Sequence, residues 1–186
     1  MAGKSRVAEL LARRHARSVI ATDDLGVAVH VALRGREPMI AEDHREYFVT
    51  RSVDQLWQEA LDRLLSLHEP VEAVARLHAN PWATPAIVEG WAVLPHETEA
   101  PELDIGRVWL IAARDLLEAR TRADSAFWSG ASDEAVMIDK FVERSMRLNE
   151  YVIAAGREQP LNLLHVAASE TAQTLADRIE ALFARE

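Results

Sequence analysis

The chain has 186 residues, of which 49% are hydrophobic and 27% charged, the size and composition of one folded globular domain. It contains no cysteine, which excludes disulfides, thiolate metal sites and cysteine nucleophiles. The net charge of −9 argues against a surface that binds nucleic acid generally, while a local basic patch stays compatible with it.

The first twenty residues differ in charge from the rest of the chain. Residues 4–20 are predicted to form a basic amphipathic helix or arm. Five basic residues against Glu9 give residues 1–20 a charge of +4, which leaves −13 for the remainder. We expect this segment to dock on the acidic body or on a second copy of it; the alternative is an arm that contacts nucleic acid or an acidic partner. The candidate interface residues in it are Arg13, Arg14 and Arg17.

The same segment begins with Gly3-Lys4-Ser5, the ending of a phosphate-binding P-loop. The upstream glycine and the strand that precede such an ending are missing. The sequence therefore predicts no phosphate-binding loop. The seven glycines are scattered singly, and no Gly-x-Ser-x-Gly nucleophile motif occurs.

Residues 22–35 fit two secondary structures. Asp23 and Asp24 are typical of a helix start and Gly35 of a helix end, whereas valines at every second position are typical of a strand. We favour a helix, because the chain shows no equally clear second strand to pair with. The alternative is a short β-hairpin near residues 25–41.

Helical periodicity dominates the rest of the chain. The strongest helix spans residues 52–67, where Ser52 and Gln55 form a capping box, and Pro70 is expected to end or kink it. Pro38 is expected to open a short helix, and residues 96–104 to form an exposed acidic loop. Further helices are predicted over residues 69–78, over 85–94, from Ala100 or Asp104 to Ala123, and after Pro160.

The longest bounded pattern runs from Ser132, a predicted N-cap, to Gly156, a predicted stop. Its broad apolar stripe indicates a helix with several neighbours. The sequence therefore predicts a mainly α fold, with residues 1–186 forming a single-domain bundle of roughly six to eight helices.

No metal or cofactor is predicted. A metal site in a helical bundle needs histidines and carboxylates three or four residues apart on one helical face. His68 and Glu72 have that spacing, but Pro70 lies between them. Ligand pairs are not repeated on several helices, as bundle metal sites require.

The densest group of ionisable residues covers positions 42–46. His44 stands beside carboxylates there, including Glu46, and could act as a general base in a small-molecule enzyme. The alternative is a solvated helix face, since the apolar residues Tyr47 and Phe48 already supply a buried side.

A third candidate is Arg63-Leu-Leu-Ser-Leu-His68. An arginine followed by four residues and a histidine resembles the signature of HEPN ribonucleases. The resemblance implies a helical bundle in which Arg63 and His68 attack an RNA backbone at a dimer interface. The alternative is that Arg63 is a surface charge and that His68 is favoured at a helix C-terminus by the helix dipole.

Two of the five tryptophans lie at predicted helix junctions. Trp82 and Trp128 there could line a ligand pocket or anchor an interface, or could seal the ends of the bundle. The other three lie on apolar faces and are predicted to be core, namely Trp57, Trp91 and Trp109.

The sequence shows no set of residues that clearly forms a catalytic site. It therefore favours a non-enzymatic helical interaction protein that self-assembles or binds a protein partner. An enzyme using the residues above and a ligand-sensing bundle are the alternatives. The most apolar early run, residues 25–33, is too short to span a bilayer, so we expect a cytoplasmic protein that does not contact membranes. Nucleic acid is expected as a partner only through the N-terminal arm.

Overall fold

A computed structural model describes residues 2–35, 43–95 and 105–184 of the chain. These residues form nine helices and four short strands, so the fold is mainly helical, as predicted. In chain order the elements are α1 (Lys4–Arg14), β1 (Ser18–Ala21), α2 (Thr22–Arg34), α3 (His44–Thr50), α4 (Val53–Ser66), α5 (His68–Ala79), β2 (Ala86–Glu89), β3 (Trp109–Ala112), α6 (Arg114–Ala123), α7 (Ser125–Trp128), α8 (Glu134–Glu158), β4 (Leu163–Val166) and α9 (Ala172–Phe183).

The strands form two parallel pairs. β1 pairs with β2, Ser18 opposite Ala86, and β3 pairs with β4, Trp109 opposite Leu163. Parallel strands need long crossovers. Helices α2 to α5 lie between the strands of the first pair, and α6 to α8 between those of the second. The molecule therefore combines helices with parallel strands, and a pure helical bundle is not what the described residues form.

Three helix predictions are wrong where these strands lie. Residues 86–89 are β2, residues 109–112 are β3, and residues 163–166 are β4, each flanked by loops. A buried parallel strand is a short run of apolar residues without alternation, so four such residues cannot be told from part of a buried helix by periodicity. The helix predicted from residue 100 or 104 begins only at Arg114.

Residues 22–34 form a helix, which confirms the favoured interpretation and makes a hairpin wrong for that part of the range. The predictions for residues 36–42, including Pro38, and for the acidic segment 96–104 lie outside the described residues. The basic helix is shorter than predicted, because α1 ends at Arg14. Ala16 then turns the chain with a φ of 49°, and residues 18–21 continue as β1.

The capping box of α4 is confirmed, with Ser52 and Gln55 bonded reciprocally. Pro70 does not kink a helix, because it lies in the first turn of the next helix, α5, where no intrahelical N–H bond is lost.

The longest helix, α8, has different end residues from those predicted. Its N-cap is Asp133, whose carboxylate accepts from Val136 N, and it runs past Gly156 to Glu158. A Cβ at Gly156 would lie 3.0 Å from Leu163 Cδ1. The glycine thus allows β4 to approach the helix closely and does not end it.

The largest group of buried apolar side chains joins α1, β3, α6, α8, β4 and α9, and contains Val7, Leu11, Ala112, Leu116, Leu117, Ile138, Val142, Leu164, Val166, Leu175, Ala176 and Ile179. Trp109 is buried, as predicted. Trp57 and Trp91 are only half-buried. Trp57 lies against Tyr151, with 6.1 Å between the ring centroids.

Candidate functional site

The amino end of α1 and the carboxyl ends of β1 and β2 lie together. β1 and β2 end side by side, with Ala21 opposite Glu89. Lys4, the first residue of α1, reaches this edge, since its Nζ is 3.6 Å from Glu89 Oε2. We call this region the strand-end site and define it by Gly3, Lys4, Ser5, Asp23, Asp24, Glu89 and Gly90.

The start of α1 has the features of an anion-binding helix end. Gly3 precedes the helix with a φ of 96°, a conformation that favours glycine. Within the described part of the chain no side chain caps the helix, and its first turn contains no acidic residue. The free N–H groups and the positive end of the helix dipole are therefore not neutralised from within the helix. Arg120 Nη1 donates to the carbonyl of Ala2 at 2.9 Å and adds a second positive charge nearby.

Glu89 is a largely buried carboxylate that has only a long ion pair, with Lys4, among the described contacts of its Oε2. Its side chain is 12% exposed, and its Oε2 makes no hydrogen bond within the described part of the chain. The ammonium of Lys4 is too far from that oxygen for a good hydrogen bond and also lies 5.8 Å from the Trp91 ring centroid. An ion pair of this length leaves both groups able to bind a further charged group.

Gly90 fixes the distance between β2 and the start of α2. Its φ is 145°, and a Cβ there would collide with the hydroxyl of Thr22 and lie 2.8 Å from Thr22 Cβ. Thr22 is 1% exposed. The next two residues, Asp23 and Asp24, form the exposed first turn of α2. Because α2 follows β1 directly and Ala21 lies opposite Glu89, this first turn lies at the carboxyl ends of the two strands.

A cavity of about 190 Å³ lies directly behind the strand-end site. It separates β2 from β3 and is mostly apolar. Its two inner polar side chains are already partnered, since Ser145 Oγ donates to Phe141 O and Asn149 Nδ2 donates to Ala112 O, both at 2.8 Å. Among the described residues, the charged side chains that line the cavity are Lys4 and Glu89, both at the amino end of α1.

The three arginines predicted as interface residues have different surroundings. Arg14 lies 2.7 Å from Asp177 and 2.6 Å from Glu180, so it binds α1 to α9 within the same molecule. Arg13 and Arg17 are exposed. Arg13 has a long ion pair of 3.8 Å with Glu9, four residues earlier on the helix.

The residues around His44 hold α3 against its neighbours. His44 Nε2 lies 3.1 Å from the carbonyl oxygen of Phe127, and the two rings are 5.8 Å apart. Glu46 accepts from the backbone N–H of Ser132 at 2.8 Å and from its hydroxyl at 2.7 Å. His44 thus binds α3 to α7, and Glu46 binds it to the segment before α8. Neither side chain lines the cavity.

Arg63 and His68 lie on two successive helices. Arg63 is exposed in the last turn of α4, and half-buried His68 is the first residue of α5. His68 therefore stands at a helix start, not at the C-terminus that the alternative interpretation assumed. Neither residue lines the cavity.

The junction tryptophans also lie outside the cavity. Trp82 is 75% exposed. Trp128 is half-buried and its Nε1 donates to Thr121 O at 3.0 Å, which seals α7 against α6. The tryptophans that do line the cavity are Trp91 and Trp109, which were predicted as core.

Comparison with known protein families, with curated proteins and with solved structures found no match to this chain. Across residues 2–35, 43–95 and 105–184, no helix is both long enough and apolar enough to cross a bilayer.

Sequence reasoning missed Glu89 and the two aspartates as site residues. The signal was present in two short runs, Val19-Ile20-Ala21 and Ala86-Ile87-Val88, each followed within three residues by an acidic residue. Paired as parallel strands, such runs place their acidic residues at one edge.

Proposed function

We propose that this protein binds the phosphate chain of a nucleoside triphosphate at the strand-end site and transfers a phosphoryl group from it. The observation that carries the proposal is that Gly3-Lys4-Ser5 opens α1 beside the carboxyl ends of two parallel strands, where ligands of open α/β sheets bind. The same residue types in this order end a P-loop, in which backbone N–H groups and a lysine hold phosphates. The first glycine of that motif would precede Met1.

Lys4 is the side chain that we assign to the phosphates. Its ammonium is held at the site by a 3.6 Å ion pair, which a phosphate with more than one negative charge can displace. The uncapped N–H groups of α1 lie at the same end of the helix. A point charge and a helix N-terminus directed at one anion stabilise it together.

The carboxylates of the site suit a magnesium ion that arrives with the nucleotide. The described residues contain no group of three or more side chains that could hold a metal by themselves. A nucleotide-bound magnesium ion needs only one or two carboxylates, because phosphate oxygens and waters fill the remaining positions. Glu89, Asp23 and Asp24 supply carboxylates, and Ser5 supplies the hydroxyl expected beside such a lysine.

The exposed Asp23 and Asp24 also suit the deprotonation of the hydroxyl group that accepts the phosphoryl group. A hydroxyl that attacks a phosphoryl group loses its proton, and a carboxylate positioned beside it accepts that proton. Asp23 and Asp24 are open to solvent at the edge where Lys4 lies. We therefore assign a small hydroxyl-bearing molecule as the acceptor.

Tryptophan fluorescence tests the binding step, because Trp91 lies within 5.8 Å of the Lys4 ammonium. We expect emission to change and saturate as Mg–ATP is added to the 186-residue protein. Lys4→Ala should weaken binding at least about tenfold, the loss expected for one charge-assisted contact of roughly 1.4 kcal/mol. Arg6→Ala is the matched control, since it removes one positive charge from an exposed position on the same helix.

Two results would overturn the binding proposal: no response of the wild-type protein to Mg–ATP, Mg–GTP or inorganic triphosphate, or equal affinities for wild type and Lys4→Ala. The transfer step is measured separately, as ADP release with a panel of small alcohols. If Asp23→Asn and Asp24→Asn both keep the wild-type rate, neither aspartate accepts the proton.

Self-assembly or a protein partner is a second candidate, and one surface favours it. Val27 and Val31 are one helical turn apart on α2 and are 51% and 52% exposed. Their side chains lie on one face of the helix, where they offer apolar area to a partner. Native mass measurement of Val27→Asp beside wild type tests this candidate, with a lower mass expected for the variant.

A further inference from the structure

Two strand edges face each other across the cavity without pairing. β2 pairs with β1 on one side, β3 pairs with β4 on one side, and the described residues place no strand between β2 and β3. Backbone N–H and C=O groups point to both sides of a strand. Each of these two strands therefore directs backbone groups that no described strand pairs with toward the same space, which we call the slot.

The slot has the surroundings of a central strand in a parallel sheet. Such a strand has a neighbour on each side and helices over both faces. The slot is lined by side chains of the two strands and of the two helices α1 and α8. They are Ile87 and Val88 of β2, Leu110 and Ile111 of β3, Val7, Ala8 and Leu11 of α1, and Leu148 and Val152 of α8. Small-molecule pockets carry a few converging polar groups. Deep in the slot the polar side chains are already bonded to backbone carbonyls.

We propose that the slot receives a fifth β-strand, parallel to its neighbours, which joins the two pairs into one sheet in the order β1, β2, new strand, β3, β4. The occupant is an extended apolar segment of polypeptide joined to the amino end of α1, so that its carboxyl end continues into Gly3. Filling the slot in this way pairs the edges of β2 and β3 and gives each the burial that parallel strands require.

The position of α1 supports this occupant. Ala2, the residue before Gly3, itself lines the slot, so polypeptide joined to the amino end of α1 starts inside it. α1 packs against β1 and β2, and Val7, Ala8 and Leu11 cover the slot. A strand in the slot, followed by α1 and then β1, makes a βαβ unit with α1 as its crossover helix. This inference does not depend on phosphate binding.

The test extends the full-length chain. One fusion places five alternating valine and isoleucine residues and a short glycine-serine linker before Ala2. The control fusion has proline at the second and fourth of those five positions, because proline removes the N–H groups needed for pairing in a central strand. Thermal unfolding and amide hydrogen exchange at β2 and β3 are measured for both fusions and for the unextended protein.

We expect the valine-isoleucine fusion to raise Tm by about 4 °C or more, a shift typical of a gain of one to two kcal/mol in a chain of this size. Amides of residues 86–89 and 109–112 should exchange more slowly in it, and the proline fusion should resemble the unextended protein. Equal Tm values and exchange rates for both fusions would overturn the proposal. So would stabilisation of the unextended protein by decanoate without any effect of the strand, since the slot would then be a cavity for small apolar molecules.

Discussion

Glu170 secures the turn that connects β4 to α9. Its Oε2 accepts from Ala167 N at 2.6 Å, and its Oε1 accepts from Arg178, whose guanidinium also donates to the carbonyl of His165 at 3.1 Å. The backbone hydrogen bond and then the guanidinium lower the pKa of this carboxyl below its ordinary value of 4.5. The ionised Glu170 thus joins the turn after β4 to α9, and Arg178 extends this connection to the strand.

This lowered pKa predicts a pH dependence of stability. A carboxylate whose pKa is lower in the folded than in the unfolded state stabilises the protein above the unfolded value, and loses that effect as the pH falls through the folded value. Glu170→Gln should therefore have a lower Tm than wild type at pH 7, with the difference shrinking below about pH 4.5. Glu150→Gln, at an exposed position on α8, is the control. A difference that stays constant down to pH 3 would contradict the assignment.

Among the elements, helices were predictable from the sequence and strands were not. α4 and α8 have apolar residues at helical spacing over many turns, and their existence followed from that pattern. Each strand has four residues, which is shorter than the window in which periodicity can be detected. Pairing between residues 18–21 and 86–89 is decided by tertiary contacts far apart in sequence.

The candidate site depended on those same strands. In the sequence, Gly3-Lys4-Ser5 lacks both the upstream glycine and the strand of a P-loop, and so predicts no phosphate-binding loop. Its relation to Glu89 exists only after β1 and β2 have paired, since 85 positions separate Lys4 from Glu89 in sequence. Local motifs such as the Ser52 capping box need no such partner, so they are readable in a single sequence.

The junction between β2 and α2 can be tested at Gly90. An alanine there combines the strain of a φ of 145° with a collision against Thr22, a buried residue that cannot move away easily. We expect Gly90→Ala to lower the free energy of unfolding by about 3–5 kcal/mol. Gly130→Ala is the matched control, because Gly130 has a φ of 91° and nothing within 4 Å of its Cβ position. It should cost about 1–2 kcal/mol, and equal losses for the two variants would mean that β2 and α2 do not touch here.

At the scale of the whole molecule, the basic N-terminal helix is part of the folded body. α1 buries Val7, Ala8, Leu11 and Ala12, and it is bound to α9 through Arg14 and through His15, whose Nε2 lies 2.7 Å from Glu180. The charge of +4 in residues 1–20 is thus partly neutralised by acidic residues of the same chain. This is docking on the acidic body of the same molecule, which the sequence predicts beside docking on a second copy.

This integration changes how a role of the N-terminal segment in assembly must be tested. Deleting residues 1–20 removes α1 and most of β1, so we expect the cooperative thermal transition to be lost, whatever the segment binds. A double charge reversal, Arg13→Glu with Arg17→Glu, changes only exposed side chains. Among the described residues it breaks a long ion pair between Arg13 and Glu9 and a 3.3 Å hydrogen bond from Arg13 Nε to the carbonyl of Glu9, exposed contacts that contribute little to stability.

The reversal variant should therefore keep the wild-type Tm within about 2 °C, the change expected for surface substitutions. If these arginines hold copies or an acidic partner together, native mass spectrometry should show wild type at a multiple of 20.8 kDa or with a second polypeptide, and the variant at 20.8 kDa. Equal masses for both proteins would remove Arg13 and Arg17 from any interface. A cooperative transition in the deletion variant would show, against the packing described above, that the body folds without α1.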